Sequence, residues 1–151
     1  MSAFETAMKF FHACESLKGW DVCKDYVAPG AVFEAQCEPL EEVKSVQQYC
    51  EWMADLGRDP LAGCSHRLHS SAYDEAKGVV TLFATFTGTR VGDAGPVPPT
   101  NRQTTDYVYV LTMNANDKIE MMYKVCFSKA VRRCRSCPKA DAPQAFPAPA
   151  R

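Results

Sequence analysis

The feature that most limits the fold of this chain is a change in the spacing of its apolar residues near residue 60. Before that point they recur at the spacing of a helix that buries one face. After it, long segments rich in Val, Thr, Tyr and Phe follow one another, which is typical of strands. Helices that precede a run of antiparallel strands favour an α+β fold in which the helices cover one face of a curled sheet.

Capping and turn residues divide the chain into elements. The helical period predicts three helices, at 2–18, 20–26 and about 45–56, with one strand at 31–36 between the second and the third. The later half predicts four strands, at 65–73, 79–91, 102–114 and 118–129. The predicted fold is a cone-shaped, curled antiparallel sheet packed on three N-terminal helices. Its open end would leave a cavity for a small molecule.

Length and charge limit the class of protein. The 151 residues suit one domain, which we place at 1–131, followed at 132–151 by a basic and then Pro/Ala-rich disordered tail. A net charge of -1 argues against nucleic-acid binding. The N-terminus lacks a signal-peptide pattern, and no apolar run reaches the length of a membrane helix, which predicts a cytoplasmic protein without a membrane partner.

The cysteines and histidines do not suggest a metal centre. Four of the eight cysteines fall within helix or strand patterns and are predicted to pack as small apolar side chains: Cys14, Cys23, Cys50 and Cys126. The Cys134/Cys137 pair has no second pair or downstream histidine to complete a zinc site, and its role stays open. His66 and His69 are three apart on one predicted strand and therefore point to opposite faces. We predict no metal.

Three segments resemble one known family. Residues 87–100, TGTRVGDAGPVPPT, resemble the "TGTHxGx…PPT" segment of SnoaL-like proteins, which belong to the nuclear-transport-factor-2-like superfamily. Residues 117–119 resemble that family's "DGKI" hairpin, and residues 26–32 resemble its approach to the first strand. The likeness spans roughly residues 4–130. It implies a cystatin-like α+β barrel, a polyketide cyclase-like pocket without metal or organic cofactor, and a homodimer formed through the outer sheet face.

Several residues could still carry chemistry. A carboxylate in an apolar cavity has a raised pKa and can act as a general base, and Glu34 lies in an apolar strand start. Asp106 and His66 are the other predicted catalytic groups, for stabilising oxyanion charge. The alternative is that Glu34 and Asp106 are solvated, because a one-residue change in strand parity reverses the face. The predicted substrate-binding residues are Arg90, which stands at the family's histidine, and Tyr49, Met53, Phe86 and Tyr109.

Two functions remain open from the sequence. One is a cofactor-free isomerase, dehydratase or cyclase that acts by acid/base chemistry on an apolar, carbonyl-bearing molecule. The other is a non-catalytic module of the same fold that binds a hydrophobic ligand or dimerises. The two differ in whether titratable groups converge in the cavity, which the enzyme requires and the binding module does not.

Overall fold

The computed structural model describes residues 1–36, 40–58, 61–90 and 102–127. The helices are α1 (Ala3–Glu15), α2 (Trp20–Cys23) and α3 (Val46–Arg58). The strands are β1 (Val27–Ala35), β2 (Leu61–Asp74), β3 (Val79–Arg90), β4 (Arg102–Met113) and β5 (Ile119–Phe127). Three helices and a five-stranded sheet confirm the predicted α+β class. The predicted tail at 132–151, with Cys134 and Cys137, lies outside the described residues.

The sheet has the strand order β1-β5-β4-β3-β2. Strands β2 to β5 form the predicted antiparallel meander, since each pairs with the next along the chain. Strand β1 joins the far edge beside β5 and runs parallel to it. The sheet is therefore mixed, whereas the sequence predicted antiparallel pairing throughout. Hydrophobic period identifies a strand but carries no information on the direction of its neighbour.

Both ends of α1 are fixed by local chemistry. At the start, Ser2 and Glu5 form a capping box: the Ser2 hydroxyl accepts from the Glu5 N–H, and the Glu5 carboxylate accepts from the Ser2 N–H at 2.9 Å. At the other end, Leu17 takes a positive φ of 60°, so the helix stops before the predicted residue 18. Gly19 follows at φ 76° and ψ -176°, a conformation essentially restricted to glycine, and starts α2.

The core lies between the helices and the inner face of the sheet. Phe10 and Phe11 of α1 and Phe33 of β1 are fully buried in it. Alternation along β4 points Tyr107, Tyr109 and Leu111 inward, and β3 adds Val80, Leu82 and Ala84. Each large apolar side chain buried in this way contributes about 1.5–3 kcal/mol. Within the described ranges, no helix has the length and apolar character needed to span a membrane.

Candidate functional site

A chain of hydrogen bonds between polar side chains crosses the core. The Lys124 Nζ donates to the Tyr49 hydroxyl at 2.7 Å, and the Tyr49 and Tyr109 hydroxyls are 2.5 Å apart. The Tyr109 hydroxyl in turn donates to Glu15 Oε1. Because the Tyr109 hydrogen is donated to Glu15, the Tyr49 hydroxyl donates to Tyr109, and the hydrogen bonds run in one direction from Lys124 to Glu15.

Four elements bring these side chains together. Glu15 is the last residue of α1, and Tyr49 lies on α3. Tyr109 and Lys124 are directly paired neighbours on β4 and β5. All four are buried, with Glu15 1% and Lys124 6% exposed. The Tyr49 ring stacks on Phe33 at a centroid distance of 4.5 Å, which holds its hydroxyl in place.

The Lys124 ammonium is surrounded by tyrosine rings. Its Nζ lies 4.6 Å from the ring centroid of Tyr107, 5.0 Å from that of Tyr49 and 5.3 Å from that of Tyr109. The negative faces of aromatic rings attract a cation, and this attraction strengthens when water is excluded. The three rings therefore compensate part of the cost of burying the charge.

Two buried polar atoms of this site have no hydrogen-bond partner outside their own pair in the described part of the chain. They are Glu15 Oε2 and the Tyr107 hydroxyl. The two side chains are close to each other: burial, the Glu15 charge and a hydrogen bond from the hydroxyl to the Glu15 carboxylate together raise the pKa of Tyr107. An unsatisfied buried donor or acceptor costs about 1–3 kcal/mol. A ligand whose oxygen accepted from the Tyr107 hydroxyl and whose acidic C–H group faced Glu15 Oε2 would remove that cost.

The tyrosine hydroxyls of the site are held neutral. Burial first, and the Glu15 charge second, raise the pKa of both Tyr49 and Tyr109 well above the ordinary value. The same two causes act on Tyr107. All three hydroxyls therefore remain hydrogen-bond donors at neutral pH, as the stabilisation of a developing oxyanion requires.

An open surface depression of 360 Å³ lies beside the end of α1, on the side of β2. It is lined by Glu15, Ser16, Leu17, Cys64, Ser65 and His66, and Tyr107 is not among its lining residues. The His66 ring meets Phe11 edge-on at 5.5 Å, and its Nε2 is 3.3 Å from His12 Nδ1. Burial, together with His12, lowers the pKa of His66, so its imidazole is neutral at physiological pH.

The predicted carboxylate pair does not form inside the cone. Glu34 is exposed on the outward side of β1 and lines a surface groove with Tyr123, so the expectation that it lies in an apolar cavity is wrong. Asp106 is on the outer sheet face, where it accepts from the Thr85 hydroxyl at 2.6 Å, and the His69 Nε2 lies 2.6 Å from the same hydroxyl. Glu34 and Asp106 are therefore not brought together.

The other predicted site residues are mostly on the inner side. His66 pairs with Phe86 across β2 and β3, and His66 contacts Phe11 of the core. Tyr49 and Tyr109 are fully buried in the hydrogen-bonded chain. Met53 is 2% exposed on α3. Their roles in catalysis or substrate binding stay predictions. Arg90 ends β3, and its side chain lies outside what the structure describes.

Sequence reasoning missed Glu15 and Lys124. A signal for each was present in the period of its element. Glu15 follows Phe11 by four residues, which places it on the buried face of α1. Lys124 follows Met122 by two residues, which places it on the inner face of β5. A charged residue at a position that the period of its element places in the core is therefore a better indicator of a buried site than a charged residue in an apolar strand whose inward face is unknown.

The fold is shared with solved structures. No family model matches the chain, and a search of curated protein sequences finds no match. A candidate SnoaL-like polyketide cyclase from Jannaschia sp. CCS1 superposes with a TM-score of 0.64 at 19% identity, over 82% of this chain and 84% of that one. SalBIII, an epoxide hydrolase/cyclase-like enzyme, gives 0.63 at 14% identity, over 83% and 90%.

An NTF2-like protein from Burkholderia thailandensis gives a TM-score of 0.64 at 13% identity, over 84% of this chain and 92% of that one. Further matches are described as cystatin-fold proteins. The chain thus shares the cystatin-like α+β fold of these structures.

Proposed function

We propose that this chain, with its SnoaL-like fold, is a cofactor-free acid/base enzyme that moves a proton next to a carbonyl group of a small, apolar molecule. Glu15 is the general base, and the Tyr107 hydroxyl is the hydrogen-bond donor to the carbonyl oxygen. One observation carries the proposal: a buried carboxylate oxygen and a buried hydroxyl lie close together, and neither has a hydrogen-bond partner outside this pair among the described residues. Such a pair matches the needs of an enolising carbonyl compound.

The proton transfer is balanced by these two groups. Glu15 Oε2 takes the proton from the carbon beside the carbonyl. The C–H electron pair forms a carbon–carbon double bond, and the carbonyl π electrons move to the oxygen, which becomes an oxyanion and accepts a hydrogen bond from the Tyr107 hydroxyl. The protonated Glu15 then returns its proton to another carbon, which is isomerisation, or to a departing hydroxyl group, which is dehydration. A positioned general base contributes about 10²–10⁴-fold to such a step.

Lys124, Tyr49 and Tyr109 are positioning residues in this scheme. Tyr109 occupies Glu15 Oε1, so the Oε2 atom is left for the substrate. Lys124 supplies the positive charge that balances Glu15 through the two intervening hydroxyls. Because the series of hydrogen bonds from Lys124 to Glu15 is complete within the protein, the Glu15 carboxylate keeps one orientation before the substrate arrives.

The substrate is expected to be small. The surface depression beside Glu15 has a volume of 360 Å³, near the lower end of ligand pockets, which span about 300–1,000 Å³. The fold likeness to SalBIII, an enzyme with a role in pyran ring formation, supports cyclic or cyclising substrates.

The second candidate function is a module without catalysis. It is favoured by the extent to which Lys124, Tyr49 and Tyr109 satisfy one another, since such a network also stabilises a closed core. In this case the outer sheet face, where Phe83 is 37% exposed, is the proposed homodimer surface.

The experiment is a proton-exchange screen. Cyclic ketones and hydroxylated polyketide fragments are incubated with the full chain in D₂O, and NMR measures deuterium uptake at the carbon beside the carbonyl. The wild type is expected to catalyse exchange for part of the panel, and Glu15→Gln to lose about a hundredfold or more of that rate. Glu34→Gln, which replaces an exposed carboxylate on β1, is the matched control and is expected to keep the wild-type rate. Equal losses in both variants, or no exchange by the wild type, favour the non-catalytic module.

A further inference from the structure

Three cysteine thiols meet in the helical layer. The Sγ atoms of Cys14, Cys23 and Cys50 all lie within 4.8 Å of one another. The three residues come from α1, α2 and α3, and each side chain is at most 1% exposed. Three sulfur atoms brought to one point by three different elements can act together as ligands of a metal ion.

The backbone is shaped to bring them together. Gly19 reverses the chain between α1 and α2 in a conformation essentially restricted to glycine. A Cβ added at Gly19 would lie 3.4 Å from the Cβ of Ala54, so this turn packs directly on α3. The turn therefore places Cys23 against Cys14 on one side and against Cys50 on the other.

A metal ion binds the thiolate and not the thiol, so an ion in this cluster would take the place of the thiol protons. The three sulfur atoms are already within 4.8 Å of one another, which is the geometry that such an ion requires.

The donor set limits the kind of ion. Across the described ranges, no fourth His, Cys, Asp or Glu donor joins the three sulfurs. Structural zinc is almost always four-coordinate, and hard ions such as Mg²⁺ and Ca²⁺ require oxygen ligands. Thiolate sulfur selects soft ions, among which Cu(I) is a d¹⁰ ion that accepts three sulfur ligands in a trigonal arrangement.

We propose that Cys14, Cys23 and Cys50 form a trigonal thiolate site for a soft monovalent metal ion, with Cu(I) as the ion that fits it. Binding displaces the three thiol protons to solvent and forms three metal–sulfur bonds without any change in oxidation state. The site is separate from the proposed acid/base centre, although Cys14 precedes Glu15 and Cys50 follows Tyr49 in the sequence.

The test uses the full chain with Cys134→Ser and Cys137→Ser, because that CxxC pair could bind copper by itself. The chain is reduced with a phosphine and titrated anaerobically with Cu(I) against a chromogenic competitor. One Cu(I) per chain is expected. Cys23→Ala is expected to weaken Cu(I) binding by more than about tenfold. Loss of a residue that only contacts a metal ligand already lowers metal affinity by about 10–100-fold, and Cys23 is a proposed ligand itself. Cys64→Ala, a half-buried cysteine on β2 outside the cluster, is the control and retains binding.

X-ray absorption on the copper-loaded chain gives a readout that does not depend on the variants folding. Three sulfur neighbours around each copper support the proposal. Two sulfurs, nitrogen or oxygen ligands, or equal affinity in Cys23→Ala would overturn it. A disulfide between any two of the three cysteines in the chain purified without air would overturn it as well.

Discussion

Glu15 and Lys124 carry opposite charges in the buried core, and the hydroxyl groups of Tyr109 and Tyr49 connect them. An isolated charge in a protein interior is strongly unfavourable, so each of the two depends on the other. The arrangement separates the charges by two neutral hydroxyls. It leaves one oxygen of Glu15 without a partner, which a direct bidentate ion pair would have used.

Removal of the lysine charge should destabilise the fold. Lys124→Met keeps the length of the side chain but leaves the Glu15 charge uncompensated in the core. We expect a loss of about 3–5 kcal/mol in the free energy of unfolding, measured by chemical denaturation. Lys77→Met, at an exposed turn, is the control and should stay within about 0.5 kcal/mol of the wild type. Equal effects of the two substitutions would contradict a buried charge pair.

The two tyrosine hydroxyls should be energetically coupled. Tyr109→Phe removes the partner of Glu15 Oε1 and of the Tyr49 hydroxyl, which should cost about 1–3 kcal/mol of unfolding free energy. A double-mutant cycle with Tyr49→Phe should show an interaction energy of about 1 kcal/mol or more. Tyr73→Phe, on an exposed ring, serves as the control. Strictly additive effects of the two core substitutions would show that the hydroxyls do not form one network.

Stability should fall in mild acid because of His66. Burial lowers its pKa in the folded state below the ordinary 6.5, so the unfolded chain binds the proton more readily. The unfolding free energy should therefore decrease as the pH falls through 6.5 toward the lower folded-state value. His66→Gln should flatten this part of the profile, while His69→Gln, on the outer face, should keep it. A His66→Gln profile as steep as that of the wild type would assign the pH dependence to other groups.

The turn at Gly19 should tolerate no side chain. Its φ of 76° with ψ of -176° is strained for any residue with a Cβ, so Gly19→Ala should cost about 1–3 kcal/mol of unfolding free energy. Thermal and chemical denaturation measure the loss. A neutral substitution would mean that α1 and α2 are joined differently.

The sequence was sufficient for the fold class because the change of hydrophobic period separates helices from strands. The sequence was not sufficient to predict which side chains of β1 face the core. There the pairing register shifts between Val27 and Val32, and Gly30 takes a positive φ of 75°. Irregularities of this kind change which side chains face inward, and Glu34 came to lie outside.

The candidate site was predicted in part. Tyr49 and Tyr109 were expected as pocket walls, and both are in the buried network. Their partners Glu15 and Lys124 are far apart in the sequence, at the end of α1 and within β5, and only the packing of helices against the sheet brings them together. Long-range pairing of single charged residues leaves no local pattern to read.

The most direct test of the central claim is a crystal structure with a bound enolate analogue. A small cyclic phenol or enol, chosen from the compounds that compete in the exchange screen, is soaked into crystals of the full chain. We predict that its oxygen accepts a hydrogen bond from the Tyr107 hydroxyl, with the ring edge against Glu15 Oε2. An analogue that occupies the surface groove at Glu34 instead, without contact to Glu15 Oε2 or the Tyr107 hydroxyl, would contradict the account.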